Sequence, residues 1–483
     1  MSRPFPIDSP FLNAAWEPWP MEGDINDLVV EGEIPRDLNG TLYRNGPNQQ
    51  FSPRGEYHPF GGDGMIHAFK IEDGKAHYRN RWVRTPRFEA ERVAGDSLFG
   101  PFGDFLNNDP RAQGVLGGPA NTNVVWHAGK LLALAEGGLP PVELDPETLE
   151  TRGVHDFGGK LFRPIEPAVA KAMGIEAPDG KTPGIFTAHP KIDPESGEML
   201  AFGYNAIPPY LTYYVISKDG ELVRCEDIDI PFPAMIHDFI TTRDHVIFPI
   251  FPVTLRLEKM AEGGEVLNWE PDLGTHIGVF PRHGGNADVK WFRSDPSFAF
   301  HPMNAHTNGG RIVAEMAQYP RLPIPAGDNP AETLGDVRAT LTRWTIDLEG
   351  GGVKEEPLDE LAIEFPRLDE RFTGLPYRVG FAVSGADLVA GMGTVVRYDV
   401  ETGERKTLDL GAGKAAGEPI FVPRNPAAPE GEGYLVFAVY DHVERRSDLL
   451  ILDAENVEAG PLATVKLPHR VPMGFHGNWR PAE

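Results

Sequence analysis

Stretches of alternating or continuously apolar residues, each the length of a strand, run repeatedly into Asp-centred turns, and a second strand leaves each turn. Well-formed copies are Ala68-Phe69-Lys70-Ile71-Glu72-Asp73-Gly74-Lys75 and Val142-Glu143-Leu144-Asp145-Pro146-Glu147-Thr148. Others read Lys191-Ile192-Asp193-Pro194-Glu195-Ser196-Gly197-Glu198, Val215-Ile216-Ser217-Lys218-Asp219-Gly220-Glu221 and Trp344-Thr345-Ile346-Asp347-Leu348-Glu349-Gly350. Val396-Arg397-Tyr398-Asp399-Val400-Glu401-Thr402-Gly403-Glu404 follows, and Leu450-Ile451-Leu452-Asp453-Ala454 is a looser copy. Asp bonds its own following backbone and Gly accepts positive φ, so each motif predicts a hairpin turn. Hairpins recurring along the whole chain predict an all-β protein, a β-propeller whose blades are small antiparallel sheets. The spacing is irregular, so the repeat is degenerate. Unrelated hairpins in a two-domain β protein are the competing reading.

Seven blades in 483 residues would average about 69 each, above the ~40–50 of compact propeller repeats. The excess predicts long insertions within one domain spanning 1–483. Three segments fit: 88–118, with few strand signals; 161–184, where 168–175 reads as a short helix; and the Pro-rich 321–331. Together they are expected to form a cap of loops and a short helix over one face.

Composition narrows the class. Gly (54) and Pro (47) are spread evenly, as many turns require. A net charge of −26 from 45 basic and 71 acidic side chains argues against nucleic-acid phosphates or anionic lipid as partners. At most a peripheral membrane contact is expected; oligomeric state is not readable. Cys225 is the one cysteine, which excludes an internal disulfide and a thiolate cluster; a small buried side chain is the expectation. The N-terminal residues lack a signal-peptide core and no run reaches membrane-spanning length, so a cytoplasmic protein is the expectation.

Candidate chemistry lies in four histidine motifs: Thr187-Ala188-His189-Pro190, Met235-Ile236-His237-Asp238-Phe239, Phe300-His301-Pro302-Met303-Asn304-Ala305 and Gly474-Phe475-His476-Gly477-Asn478-Trp479. None has the close spacing of a ligand pair on one helix. Only a fold that brings distant strands to a common axis could join them. Most of the 15 histidines are expected to be ordinary, but His189, His237 and His301 sit in or beside apolar strand-like stretches. Burying an imidazole there costs free energy unless it finds a partner or a metal. On the residues alone, both outcomes stay open.

The ordered set of motifs resembles the carotenoid cleavage oxygenase superfamily, which includes lignostilbene dioxygenases and isoeugenol-type oxygenases. It runs from Gly32-Glu33-Ile34-Pro35 and Leu38-Asn39-Gly40-Thr41-Leu42-Tyr43-Arg44-Asn45-Gly46-Pro47 through Gly62-Asp63-Gly64-Met65 and Asn121-Thr122-Asn123. The histidine motifs and Glu418-Pro419-Ile420-Phe421-Val422-Pro423 complete it. The resemblance implies a seven-bladed propeller with one Fe(II) per chain on its axis, held by His189, His237, His301 and His476. His306, five residues past His301, is the rival ligand. It further implies that Glu136, Glu364 and Glu418 orient His237, His301 and His476 respectively. The implied reaction inserts O2 across a conjugated C=C bond of an apolar alkene and gives two carbonyl products. No acid–base dyad or nucleophile is required. Four neutral ligands on an octahedral ion would leave up to two positions for O2 or water.

Substrate contacts are expected from Phe60, Phe102 and Ala135. Relatives that cleave 4-hydroxystilbenes or phenylpropenes carry a Tyr and a Lys where this chain has Phe102 and Ala135. A phenolate would lack both donor and counter-charge, and burying it unpaired is costly. The expectation is therefore a carotenoid or apocarotenoid, with a stilbenoid or phenylpropenoid alkene such as isoeugenol or 4-vinylguaiacol as the alternative. A calcium-dependent hydrolytic propeller or a non-catalytic one are the remaining readings; Ca2+ would want oxygen ligands.

Overall fold

A computed structural model describes residues 3–482 apart from 7, 103–106, 138, 168–169, 171–179, 263–265, 325–336 and 386–390. Seven antiparallel sheets follow one another round an axis as a seven-bladed β-propeller. Blade I contains, from the axis outward, Gly477–Pro481, Gly40–Pro47, Gly64–Glu72, Lys75–Trp82 and Gly23–Ile25. Blade II is Asn123–His127, Lys130–Leu134, Val142–Leu144 and Thr151–Val154; blade III is Lys191–Ile192, Met199–Tyr204, Leu211–Ile216 and Leu222–Asp227. Blade IV runs through Ile240–Thr241, His245–Ile250, Thr275–Pro281 and Lys290–Ser294, and blade V through Phe298–Asn308, Arg311–Tyr319, Thr340–Asp347 and Val353–Ala362. Blade VI is Glu364–Leu368, Val379–Ser384, Thr394–Asp399 and Arg405–Asp409. In blade VII the innermost strand is broken into Lys414–Ala416 and Ile420–Pro423, followed by Gly433–Asp441, Arg446–Asp453, Pro461–Lys466 and Val29–Gly32.

The ring closes twice. Val29–Gly32 forms the outer edge of blade VII, pairing with Pro461–Lys466, and Gly477–Pro481 forms the inner edge of blade I, pairing with Gly40–Pro47. Each seam thus joins an early strand to a late one, and neither sheet is complete from one end of the chain.

The turn motifs form as their chemistry requires. Asp145, Asp193, Asp347 and Asp399 each accept backbone N–H bonds from residues two and three ahead, at 2.6–3.2 Å. The turn motifs do not occur once per blade: blade III has two, at 191–198 and 215–221, and blade IV none. Burial follows position. Lys75–Trp82 alternates, with Ala76, Tyr78, Asn80 and Trp82 inward, whereas Leu211–Ile216 is buried on both faces. Apolar layers fill the wedges between neighbouring blades, for instance Phe202 and Tyr213 against Phe239 and Phe248, and Leu42 and Phe69 against Val436 and Leu449.

Two expectations differ from the structure, and two fall outside the described residues. Within 88–118, a helix at Pro86–Ala94 overlaps the start of the expected loop. Thr85 caps it by accepting from Phe88 N, Pro86 opens it, and Gly95 ends it at φ +67°. Cys225 is exposed, not buried, because it lies on the outermost strand of blade III, where Arg163 Nη1 approaches its sulfur at 2.8 Å. The expected helix at 168–175 and the Pro-rich stretch from 325 onward lie outside the described residues. No helix among the described residues is long and apolar enough to cross a membrane.

Candidate metal centre

The innermost strands all start at the same end of the axis, and each blade delivers one residue there. His476 precedes Gly477–Pro481 of blade I, His189 precedes Lys191–Ile192 of blade III, and His237 precedes Ile240–Thr241 of blade IV. His301 lies within Phe298–Asn308 of blade V, where the pairing slips between Ala299 and Pro302. Such a bulge re-aims a side chain out of the regular alternation. Glu364 opens the inner strand of blade VI, and Glu418 occupies the break in that of blade VII. Glu136 follows Lys130–Leu134 of blade II, and Leu134 pairs with Asn123, so it reaches the same end.

One ring nitrogen from each of His189, His237, His301 and His476 lies within 4.8 Å of the others, and all four residues are buried. Three rings are backed by carboxylates. His237 Nδ1 lies 2.5 Å from Glu136 Oε2, His301 Nδ1 2.6 Å from Glu364 Oε2, and His476 Nδ1 2.9 Å from Glu418 Oε1. A carboxylate acceptor holds the proton on Nδ1 and leaves Nε2 with a bare lone pair. His237 Nε2 and His301 Nε2 then face each other at 3.3 Å, lone pair to lone pair. His189 Nε2 is buried with no hydrogen-bond partner. A cation between these nitrogens satisfies all of them, so the residues present fit a metal held by four imidazoles.

His306 is not in the group. Its backbone pairs with Val313 farther along the strand.

Charges around the rings differ. Burial and the three other imidazoles push the His189 pKa well below its usual value. Burial also lowers that of His301, against the pull of Glu364. Burial opposes ionisation of Glu418, but Arg367, His476 and the Gly477 N–H outweigh it and bring its pKa down to about 2. Glu364 is likewise lowered, burial being overcome by His301. Burial opposes protonation of His237, yet Glu136 outweighs it and raises the value.

Behind the carboxylates stand residues that sequence reasoning missed. Tyr204 OH donates to Glu136 Oε1 at 2.6 Å, Tyr319 OH donates to Glu364 Oε1 at 2.8 Å, and Arg367 Nη1 lies 3.3 Å from Glu418 Oε1. His189 has no such partner; its Nδ1 is 3.7 Å from Asp238 Oδ2, and Lys191 engages the Asp238 carboxylate at 2.8 Å. Asp238 stands in plain view inside the Met235–Phe239 motif, beside His237 in sequence.

Phenylalanines wall the site. Phe300 meets the His237 ring edge-on at 4.8 Å, and Phe365 stacks on His301 at 5.3 Å. Phe365 holds φ +51°, an outlier for a bulky residue, while its N–H donates to Glu364 Oε2 at 2.7 Å. Of the expected substrate contacts, Phe60 and Phe102 meet edge-on at 5.3 Å, and Phe60 meets Phe475 at 5.6 Å. Ala135 is buried beside Glu136 and brings no polar side-chain atom.

The retinal pigment epithelial membrane protein family model matches residues 16–481. The chain belongs to the carotenoid cleavage oxygenase family. It is 38% identical to the isoeugenol monooxygenase of Pseudomonas putida over 99% of both chains. The family likeness extends to solved structures: a lignostilbene dioxygenase of Pseudomonas brassicacearum superposes with a TM-score of 0.90 at 34% identity, covering 100% of both chains. A mutant of Synechocystis apocarotenoid oxygenase gives 0.83 at 31% identity, covering 97% of this chain and 98% of the other.

Asn121 ties the Phe60 segment to this carotenoid cleavage oxygenase site. Its Nδ2 donates to Pro59 O, Phe60 O and Gly62 O at 3.4, 3.0 and 2.7 Å, while Thr122 O accepts from His476 N at 3.1 Å. Asn121→Ala would leave these carbonyls without that donor. We expect it to destabilise the fold by about 1–3 kcal/mol, read as a lower denaturation midpoint; an unchanged midpoint would argue against the tie.

Proposed function

We propose that this chain is an Fe(II)-dependent oxygenase that cleaves a C=C bond with O2 into two carbonyl products, with His189, His237, His301 and His476 as iron ligands. The observation that carries the reading is the convergence of four buried imidazoles, three of them backed by carboxylates, on one point of the propeller axis. Imidazole donors accept several first-row ions; family membership favours iron. Bound Fe(II) would supply the activation of O2. The protein's own contribution is to hold the imidazoles, through Glu136, Glu364 and Glu418, and to exclude water with Phe300, Phe365 and Phe475. One O2 is consumed per alkene. The C=C bond and the O–O bond break, each alkene carbon gains a double bond to one oxygen, and the two carbonyl products hold both atoms of O2. No further reductant is needed.

For the substrate, the carotenoid-type expectation and the aryl-alkene alternative both suit this chemistry. Similarity over the whole length to an isoeugenol monooxygenase and a lignostilbene dioxygenase favours the aryl alkene. A wall of Phe60, Phe102 and Phe475 rings suits a flat aromatic partner. Anaerobically reconstituted Fe(II) protein, given isoeugenol, 4-vinylguaiacol, resveratrol and apocarotenals under labelled O2, should yield labelled aromatic aldehydes by mass spectrometry. Exclusive cleavage of the apocarotenals would reverse the substrate order, and no cleavage of any compound would remove the oxygenase reading.

A further inference from the structure

Ring contacts continue outward from Phe60. His58 meets Phe60 at 4.5 Å, stacks on Phe102 at 5.3 Å and lies 6.0 Å from Phe11. Phe60 also packs against the apolar cluster that contains Phe300, and against the one that contains Trp16 and Phe475. The row of rings therefore leads from half-exposed Phe102 toward the residues that flank His237 and His476. Most of these side chains are hydrocarbon. His58 places a hydrogen-bonding group among them.

Its tautomer is fixed by the backbone. His58 caps the short 3-10 turn Pro59–Gly61, and Phe60 N donates to His58 Nδ1 at 3.3 Å. A nitrogen that accepts from an N–H carries no proton of its own, so the proton sits on Nε2. Burial brings the His58 pKa down to about 4, and the ring stays neutral at ordinary pH. Nε2–H is then a donor, and no hydrogen bond reaches it from the described residues. A half-buried donor beside aromatic rings is well placed for a ligand.

We propose that His58 Nε2–H anchors the substrate by donating to a neutral oxygen, an aryl ether or un-ionised hydroxyl, at the end of an aryl alkene remote from the double bond that is cleaved. This rests on the aryl-alkene reading and deepens it. Phe102, packed edge-on against Phe60, and buried Ala135 bring no charge that could pair with a phenolate. A neutral imidazole suits an uncharged acceptor instead. The Asn121 tie sets the distance between this donor and the metal site, which makes His58 a ruler along the substrate as well as a hook.

The test compares two isosteric ligands, 4-methoxy-1-propenylbenzene and 4-ethyl-1-propenylbenzene, in which a methylene replaces the oxygen. Binding is measured anaerobically by titration of the Fe(II) protein, so turnover is not needed. Wild type is expected to bind the ether about tenfold more tightly, the range of one hydrogen bond to a buried donor. His58→Phe keeps the ring stack and should bring the ratio to about one, whereas His58→Gln keeps a donor and should retain part of the preference. Circular dichroism verifies that each variant is folded. No preference in wild type, or the same preference in His58→Phe, would overturn the assignment. Aerobic product analysis is separate: binding with the expected preference, together with no cleavage of these ligands or of any compound in the panel above, would sink the oxygenase reading and leave the anchor standing.

Discussion

His237→Ala protein, purified without air, should lack iron, where wild type holds about one equivalent per chain. The change removes one imidazole from a four-imidazole set and strands its partner. Glu136 would keep only the Tyr204 hydroxyl and lose the ring nitrogen at 2.5 Å. Leaving one member of such a buried pair uncompensated costs about 3–5 kcal/mol, so a lower thermal midpoint should accompany the metal loss. His306→Ala is the control. It removes a histidine of the same inner-strand set whose ring is not in the group, and it should keep full occupancy. Elemental analysis of both proteins gives the answer. An iron-replete His237→Ala with an iron-free His306→Ala would overturn the ligand assignment.

Glu364→Gln should weaken metal affinity by about 10–100-fold while the blades stay folded. The reason lies in counting donors. Glu364 receives His301 Nδ1–H and Phe365 N–H at Oε2 and Tyr319 O–H at Oε1. Glutamine has one carbonyl oxygen for this work, and its NH2 group would face a donor. The negative charge that makes His301 a better ligand is lost as well. Competition with a chelator, followed by the release of Fe(II), measures the change. Affinity equal to wild type would mean that the carboxylate only fills space.

The sequence exposes features whose cause is local. An Asp that accepts from the backbone N–H groups two and three residues ahead needs no distant partner, so the turns at Asp145, Asp193, Asp347 and Asp399 are readable from single motifs. Blade IV escapes that reading because its second and third strands are separated by an inserted hairpin, Val253–Leu255 with Leu267–Trp269. The helix at Pro86–Ala94 has its cap, its proline and its terminal glycine in view, but its buried face is Arg87, Phe88 and Glu91, which gives little apolar periodicity. Tyr204, Tyr319 and Arg367 are invisible for a different reason. Each meets a carboxylate 45 to 68 positions away, and nothing in the flanking residues marks a tyrosine whose partner is a buried glutamate. Cys225 defeats the expectation because a cysteine's usual burial says nothing about which strand of a blade it occupies.

The double seam has a mechanical consequence. A ring of stacked blades is quasi-linear in its energetics, and blades beside a seam could peel away one at a time. An ion shared by His476 of blade I and the histidines of blades III, IV and V would rivet the seam to the opposite side of the ring. Peeling blade I would then require pulling a ligand from the metal. Ion loss should therefore do more than lower stability: it should divide a single cooperative unfolding transition into a gradual unzipping that begins where the two ends of the ring are joined.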